Sequence, residues 1–328
     1  MTRHFLATLL ALALTTSLRA EVTYLGMATI PGDATDLSGL TGQQPDGTPN
    51  NRLGSIGSGI AYTGHGNRYV MVDDRGPHDG AVGFACRFHT FEIVVTPGAE
   101  PVVKMTLKST TMLRDEKSRQ FVGATAGPFD LRLDAEGVRV SPNGTIYVSD
   151  EYGPHIGEFG FDGQLIRRLA VPKRFLAAHQ GHSVADELPP HNTMGRQPNR
   201  GMEGLAISPR GDKLICLMQS PLIQDGAIDA QNKRIGINNR ILEIDLKSGK
   251  TREFVYQLDG PHTSTCELLA INDHEFLALE RDSHMSQEAR HKRVYRIDIS
   301  SAKDVSGRSF TRDGVATRDQ AGGQVAVH

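Results

Sequence analysis

"EGVRVSPNGTIYVSDEYGP", beginning at Glu136, and "EGLAISPRGDKLICLMQSPL", beginning at Glu203, share a Glu-Gly, a Ser-Pro and a Gly three residues after the Ser. "ELLAINDHEFLALERDS" from Glu267 keeps the Glu and the alternation with a shorter turn, and "SGIAYTGHGNRYVMVDDRGP" from Ser58 is a fourth, weaker copy. Internal repetition restricts a fold more than composition can, because each copy must be one supersecondary unit that buries its apolar face against the next. Every copy reads strand, tight turn, strand, and then an acidic or polar end. More strand-like sequence follows each: "CRFHTFEIVV" and "PVVKMTLKST", "IGEFGFDG" and "QLIRRLAV", "NRILEIDL" and "TREFVYQL". Four antiparallel strands per copy describe the blade of an all-β β-propeller. A β-sandwich with coincidental similarity between strands is the alternative. The copies are 64 to 78 residues apart, more than the roughly 40–45 of a common propeller blade. Insertions, Arg114 to Asp130 and Lys173 to Arg200, fill the difference.

The many Gly and Pro fit short strands and turns, and no long amphipathic helix is legible. The N-terminal "MTRHFLATLLALALTTSLRA" has a basic start, an apolar run from Phe5 to Leu14 and small or polar residues up to Ala20. It reads as a signal peptide over 1–20, and hence as a periplasmic or secreted protein. The run is too short to span a bilayer and none later is longer, so no membrane span is expected. The formal net charge of -2 becomes -4 once Arg3 and Arg19 are removed. No basic footprint for nucleic acid exists. Cys86, Cys216 and Cys266 match no C-x-x-C pattern; buried thiols, or one long-range disulfide, are both compatible with the spacing.

Blade geometry turns the repeat into a site. In a four-stranded antiparallel blade, the start of the first strand and the end of the second lie at the same end of the sheet. Glu136 therefore shares a face with Asp150 and Glu151, Glu203 with Gln219 and Ser220, Glu267 with Glu280 to Asp282, and Ser58 with Asp73 to Arg75. First strands line the propeller axis, so these groups converge on one channel mouth. Converging carboxylates need a positive partner. Either a divalent cation held by hard oxygen donors, Ca2+ or Mg2+ rather than zinc, or ion pairing by Arg75, Arg200 and Arg281 would serve. The expected cation ligands are Glu136, Glu203, Glu267, Glu280, Asp282, Asp73 and Asp74. Glu151 and Asp150 are candidates for ligand or base, the three arginines for anion binding, and His155 for acid or base. No Gly-x-Ser-x-Gly elbow, nucleotide loop or His-Glu-x-x-His is present.

"DEYGP", "NRGMEGLAISP" and "LLAINDHEFLALERD" resemble the segments that mark the phytase-like family, described as having the esterase-like activity of phytase, over roughly Gly54 to Val305. The resemblance implies a propeller-like exported protein acting on phosphoesters or esters, and its motifs fall on Asp150, Glu151, Tyr152, Asn199, Arg200, Glu203, Glu280, Arg281 and Asp282. Analogy with calcium-dependent propeller phytases ranks Ca2+ above Mg2+. A complete member is expected to have six blades. Here "RSFTRDGVATRDQAGGQVAVH" has little strand pattern, so the propeller domain is expected over 21–310, with an irregular tail over 311–328 and the chain read as C-terminally truncated. The functional expectation is a metal-assisted phosphoester or ester hydrolase, monomeric, acting on a small anionic substrate. A non-catalytic binding propeller with a structural cation, or a lactonase-type propeller, are the alternatives.

Overall fold

A computed structural model describes residues 23–312, 315–316 and 325–327; the stretch read as a signal peptide lies outside them. Among the described residues, helix is limited to short 3-10 turns, and the rest is strand and loop. Blade 1 comprises β1 (Ile56–Tyr62), β2 (Arg68–Asp73), β3 (Arg87–Val95) and β4 (Val103–Met112). Blade 2 comprises β5 (Ala135–Val140), β6 (Ile146–Asp150), β7 (His155–Phe159) and β8 (Leu165–Leu169). Blade 3 is β9 (Met202–Ile207), β10 (Lys213–Met218), β11 (Asn238–Asp245) and β12 (Thr251–Gln257); blade 4 opens with β13 (Ser264–Ala270), β14 (Glu275–Arg281) and β15 (Lys292–Asp298). β16 (Thr311–Arg312) and β17 (Val315–Ala316) form a small separate pair. β18 (Ala326–Val327), within the stretch expected to be irregular, pairs with β15 as the outer strand of blade 4. All four sheets are antiparallel with strands in chain order, and β1, β5, β9 and β13 lie side by side as the inner strands. The fold is a β-propeller with four four-stranded blades among the described residues.

The blades are held together face to face. Val70, Val72 and Phe88 of blade 1 pack on Val138, Val148 and Phe159 of blade 2. Similar layers join blade 2 to blade 3 through Ile156, Leu205 and Leu242, and blade 3 to blade 4 through Leu217, Phe254 and Phe276. Each such side chain, fully buried, contributes about 1.5–3 kcal/mol. Residues ahead of β1, including Ile30 and Leu53, cover the far flank of blade 1, whereas Leu269, Ile271 and Val294 on the far flank of blade 4 are exposed. All three cysteines are free; Cys86 and Cys216 are buried and Cys266 is half-buried.

The Glu-Gly repeat has a packing cause. A Cβ on Gly59 would lie 2.5 Å from the Glu136 carbonyl oxygen, and one on Gly137 would lie 2.9 Å from that of Glu203 and 2.6 Å from Leu205 Cβ. Each glycine lets the next inner strand approach at the level of its own glutamate. Gly137→Ala is therefore expected to cost about 3 kcal/mol by overpacking, read as the urea midpoint. Gly32→Ala, which meets nothing within 4 Å, is the neutral control. Equal midpoints would refute this reading.

Candidate active site at the propeller mouth

All four inner strands carry a β-bulge at the same place. The register shifts between Ile56 and Gly59 in β1, Ala135 and Val138 in β5, Met202 and Gly204 in β9, and Thr265 and Glu267 in β13. A bulge kinks the strand and re-aims a side chain. It presents Ser58, Glu136, Glu203 and, on β13, Cys266 with Glu267 beside it to one cavity of about 510 Å³. A second set comes from the ends of the second strands: Asp74, Glu151, Gln219 and Arg281 line the same cavity.

Alternation along the strand explains why acidic residues come in pairs there. Neighbouring side chains point to opposite faces, so one of each pair faces the mouth and the other serves the scaffold. Asp150 turns inward and accepts the backbone N–H groups of Asp134 (3.0 Å), Tyr152 (3.1 Å) and Gly153 (3.3 Å). Glu151 faces the cavity. Asp73 is likewise buried against Arg87 and His89, while Asp74 lines the mouth.

The negative side of the mouth is dense. Oxygens of Asp134, Glu136 and Glu151 all lie within 4.8 Å of one another. Arg75 meets Asp134 twice, through its backbone N–H at 3.0 Å and Nη1 at 3.2 Å, and also pairs with Asp79. One guanidinium does not satisfy this group: it ion-pairs Asp134 Oδ2 at 3.2 Å, but Glu151 Oε1 and Glu203 Oε2 are buried without a hydrogen-bond partner. Burial raises the pKa of Asp134, Glu136 and Glu151, with Glu203 adding repulsion at Glu136 and Glu151 at Asp134. Burial and the Glu151 charge push Glu203 up to about 8, although Gln219 Nε2 donates to its Oε1 at 2.9 Å. Burial raises the pKa of Glu267 too, although it has a cationic partner, Arg139 Nη2, which reaches its Oε1 at 2.6 Å.

The positive side lies on blades 3 and 4. Arg200 Nη1 donates only to neutral groups, Gln219 Oε1, Ser220 Oγ and Ser264 Oγ. Burial, followed by the nearby Arg234 charge, lowers its pKa to about 10. Among the described residues neither Arg200 nor Arg281 forms an ion pair, although both charges act on Glu203 from further away.

Residues 51–321 match the phytase-like family, described as esterase-like activity of phytase. The chain belongs to the phytase-like family. A relative from Arthroderma benhamiae, described as an uncharacterized secreted protein, is 31% identical over 206 residues, 54% of this phytase-like chain and 40% of that protein's length. Among solved structures, the β-propeller domain of Cps50 (Swd1) from Myceliophteria thermophila is 10% identical with a TM-score of 0.35, over 82% of this chain and 70% of that one. The Dos1 propeller is 7% identical with a TM-score of 0.35, over 77% and 55%. Both structural likenesses are shallow.

Of the residues singled out in this phytase-like sequence, Glu136, Glu203, Glu267, Asp74, Glu151, Arg75 and Arg281 line one cavity, with Arg200 beside it. Four lie elsewhere. Glu280 points into the gap between blades 3 and 4, where Tyr256 Oη (2.6 Å), Thr263 Oγ1 and the Asp259 N–H donate to it. Asp282 is tied to Lys292 and to the N–H groups of Arg290 and His291. Asp73 stays inside blade 1. In the Glu-Arg-Asp segment the alternation of β14 gives only Arg281 to the mouth. His155 lines a separate cavity with Arg132, Asp150 and Arg168, and burial lowers its pKa. Asp134 was not singled out. It lies two residues before Glu136, where blades 1 and 3 have Ile56 and Gly201, so comparing the copies gave no signal.

Proposed function

We propose that this phytase-like chain is an exported hydrolase of small phosphoesters or esters, assisted by a divalent cation held at Asp134, Glu136 and Glu151. The observation that carries the reading is the crowding of Asp134, Glu136 and Glu151 oxygens within 4.8 Å of one another, with Glu151 Oε1 and Glu203 Oε2 buried without a hydrogen-bond partner, beside two arginines that lack carboxylate partners. The donor set is all oxygen and fits Ca2+ or Mg2+. When bound, such a cation would polarise the substrate oxygen and make an attacking water more acidic. The chain's own groups supply the rest. Arg200 and Arg281 attract and orient the anion. Glu203, with a pKa near 8, holds a proton close to neutrality and stands ready to give it to the leaving oxygen. Export is supported by the N-terminal pattern and by the secreted relative; no helix of the described residues is long and apolar enough to cross a membrane.

The test is calorimetric titration of the purified chain with Ca2+ and Mg2+, followed by assays on phosphomonoesters, carboxyl esters and lactones. Glu151→Gln is expected to keep the fold and lower kcat about a hundredfold, by loss of one carboxylate from the cation site. Cation binding with no turnover on any of these substrates would replace the hydrolase with a binding propeller. Absence of cation binding would end both readings.

A further inference from the structure

The carboxylates around the mouth leave a gap at blade 1. Glu136 and Glu203 occupy the bulges of β5 and β9, Glu267 lines the mouth next to Cys266, the bulge residue of β13, and the bulge of β1 holds Ser58. Ser58 precedes Gly59 as Glu136 precedes Gly137 and Glu203 precedes Gly204. It lines the same cavity, and its Oγ donates to Glu136 Oε2 at 2.5 Å.

We propose that Ser58 is the residue that sets the mouth's specificity for anions, on the proposed reading that a cation is held beside it. Its hydroxyl has two effects that a fourth glutamate would not. It supplies a donor to Glu136, fixing that carboxylate with the other oxygen left for the cation; ligating carboxylates held by an outer hydrogen bond bind better than free ones. It also leaves one carboxylate fewer on the blade 1 side, where Asp74, Arg75 and Asp79 line the same cavity. A cation surrounded by more carboxylates has its charge cancelled and repels a phosphate, whereas a side with one fewer gives an anionic oxygen a way in. Ser58 is a positioning residue here and forms no bond to the substrate.

The two effects separate in variants. Ser58→Ala removes the donor without adding charge, and Ser58→Glu adds a carboxylate with the residue type that blades 2 and 3 already accommodate at this bulge. Calorimetry on the full chain with Ca2+, and then with inorganic phosphate on the Ca2+-loaded protein, reads both. Ser58→Ala is expected to weaken Ca2+ about tenfold and leave phosphate affinity of the loaded protein within twofold. Ser58→Glu is expected to tighten Ca2+ and weaken phosphate at least tenfold. Ser58→Thr, which keeps the hydroxyl, should restore wild-type Ca2+ affinity, and circular dichroism melts confirm that each variant is folded. A merely structural serine would move Ca2+ affinity in the same direction in Ala and Glu variants, and that result overturns the proposal. So does phosphate binding in Ser58→Glu equal to wild type. If the wild-type chain binds neither Ca2+ nor Mg2+, the hydrolase reading falls first; if it binds Ca2+ and phosphate and the variants match it, this inference alone falls. Should Ser58→Glu fail to fold, the Ala and Thr pair still decides whether the hydroxyl holds Glu136.

Discussion

Stripped of divalent cations, the folded chain is expected to lose about 3–5 kcal/mol of stability between pH 5 and pH 8.5 and to melt about 10 °C lower at the higher pH. Glu203 accounts for a loss of this size by itself: its pKa moves from 4.5 to about 8 on folding, and each unit is worth about 1.36 kcal/mol. The sign follows from proton counts. A carboxyl with a raised folded pKa binds its proton more tightly when folded, so the stability it contributes is complete below 4.5 and is lost as pH rises through about 8. Asp134, Glu136, Glu151 and Glu267 shift the same way. Groups with lowered values, such as Asp282 and Asp298, act below the window. His155, also lowered, opposes the trend only near its ordinary value of 6.5. Saturating Ca2+ at pH 8.5 should restore about 4 kcal/mol at a thousandfold excess over Kd. Calorimetric melts across the pH series with EDTA and with Ca2+ measure this. A metal-free melting temperature that is flat or rises with pH would sink the account of the mouth.

Arg139→Ala is expected to cost about 3–4 kcal/mol, the loss typical of removing one partner of a buried ion pair. Ala61, Ala206 and Leu269 stand at the equivalent place in the other blades, so the substitution installs the residue of two other blades and yet should be among the most damaging. Arg139 is 5% exposed. From the inner strand of blade 2 it crosses the axis, donating to the Ile60 carbonyl at 3.2 Å, the Leu268 carbonyl at 2.6 Å and Glu267 Oε1 at 2.6 Å. Blades 1, 2 and 4 are thus joined by one side chain. Removing it leaves Glu267 unpaired and two carbonyls without their donor. Adding Glu267→Gln to Arg139→Ala should recover part of the loss, as expected of two residues in direct contact. Urea denaturation of the four chains closes the cycle. A loss under 1 kcal/mol in the single variant would mean that inter-blade packing alone holds the axis together.

The blades and three of the four ring residues were legible because they repeat: a strand pattern seen four times with the same turn chemistry admits few alternatives. Parity was harder to read. Sequence adjacency put Asp150 with Glu151 and Glu280 with Arg281, but the alternation of the strands sends one of each pair to the mouth and the other to the scaffold. Which member faces the axis depends on where the second strand starts its alternation, and a shift of one residue reverses the outcome while leaving the sequence pattern almost unchanged. Asp134 escaped for the opposite reason, as a residue unique to its blade. The outer strand Ala326–Val327 was missed because two residues carry no period.

The four strand-end positions that line the mouth are Asp74, Glu151, Gln219 and Arg281, so their formal charge changes from negative through neutral to positive around one architecture. Because the scaffold contacts belong to their neighbours, such as Asp150, Asp73 and Glu280, the mouth-facing side chains are free to diverge. The repeat thus behaves as a modular template in which a lineage could acquire a new substrate by altering one blade at a time, with little penalty in folding.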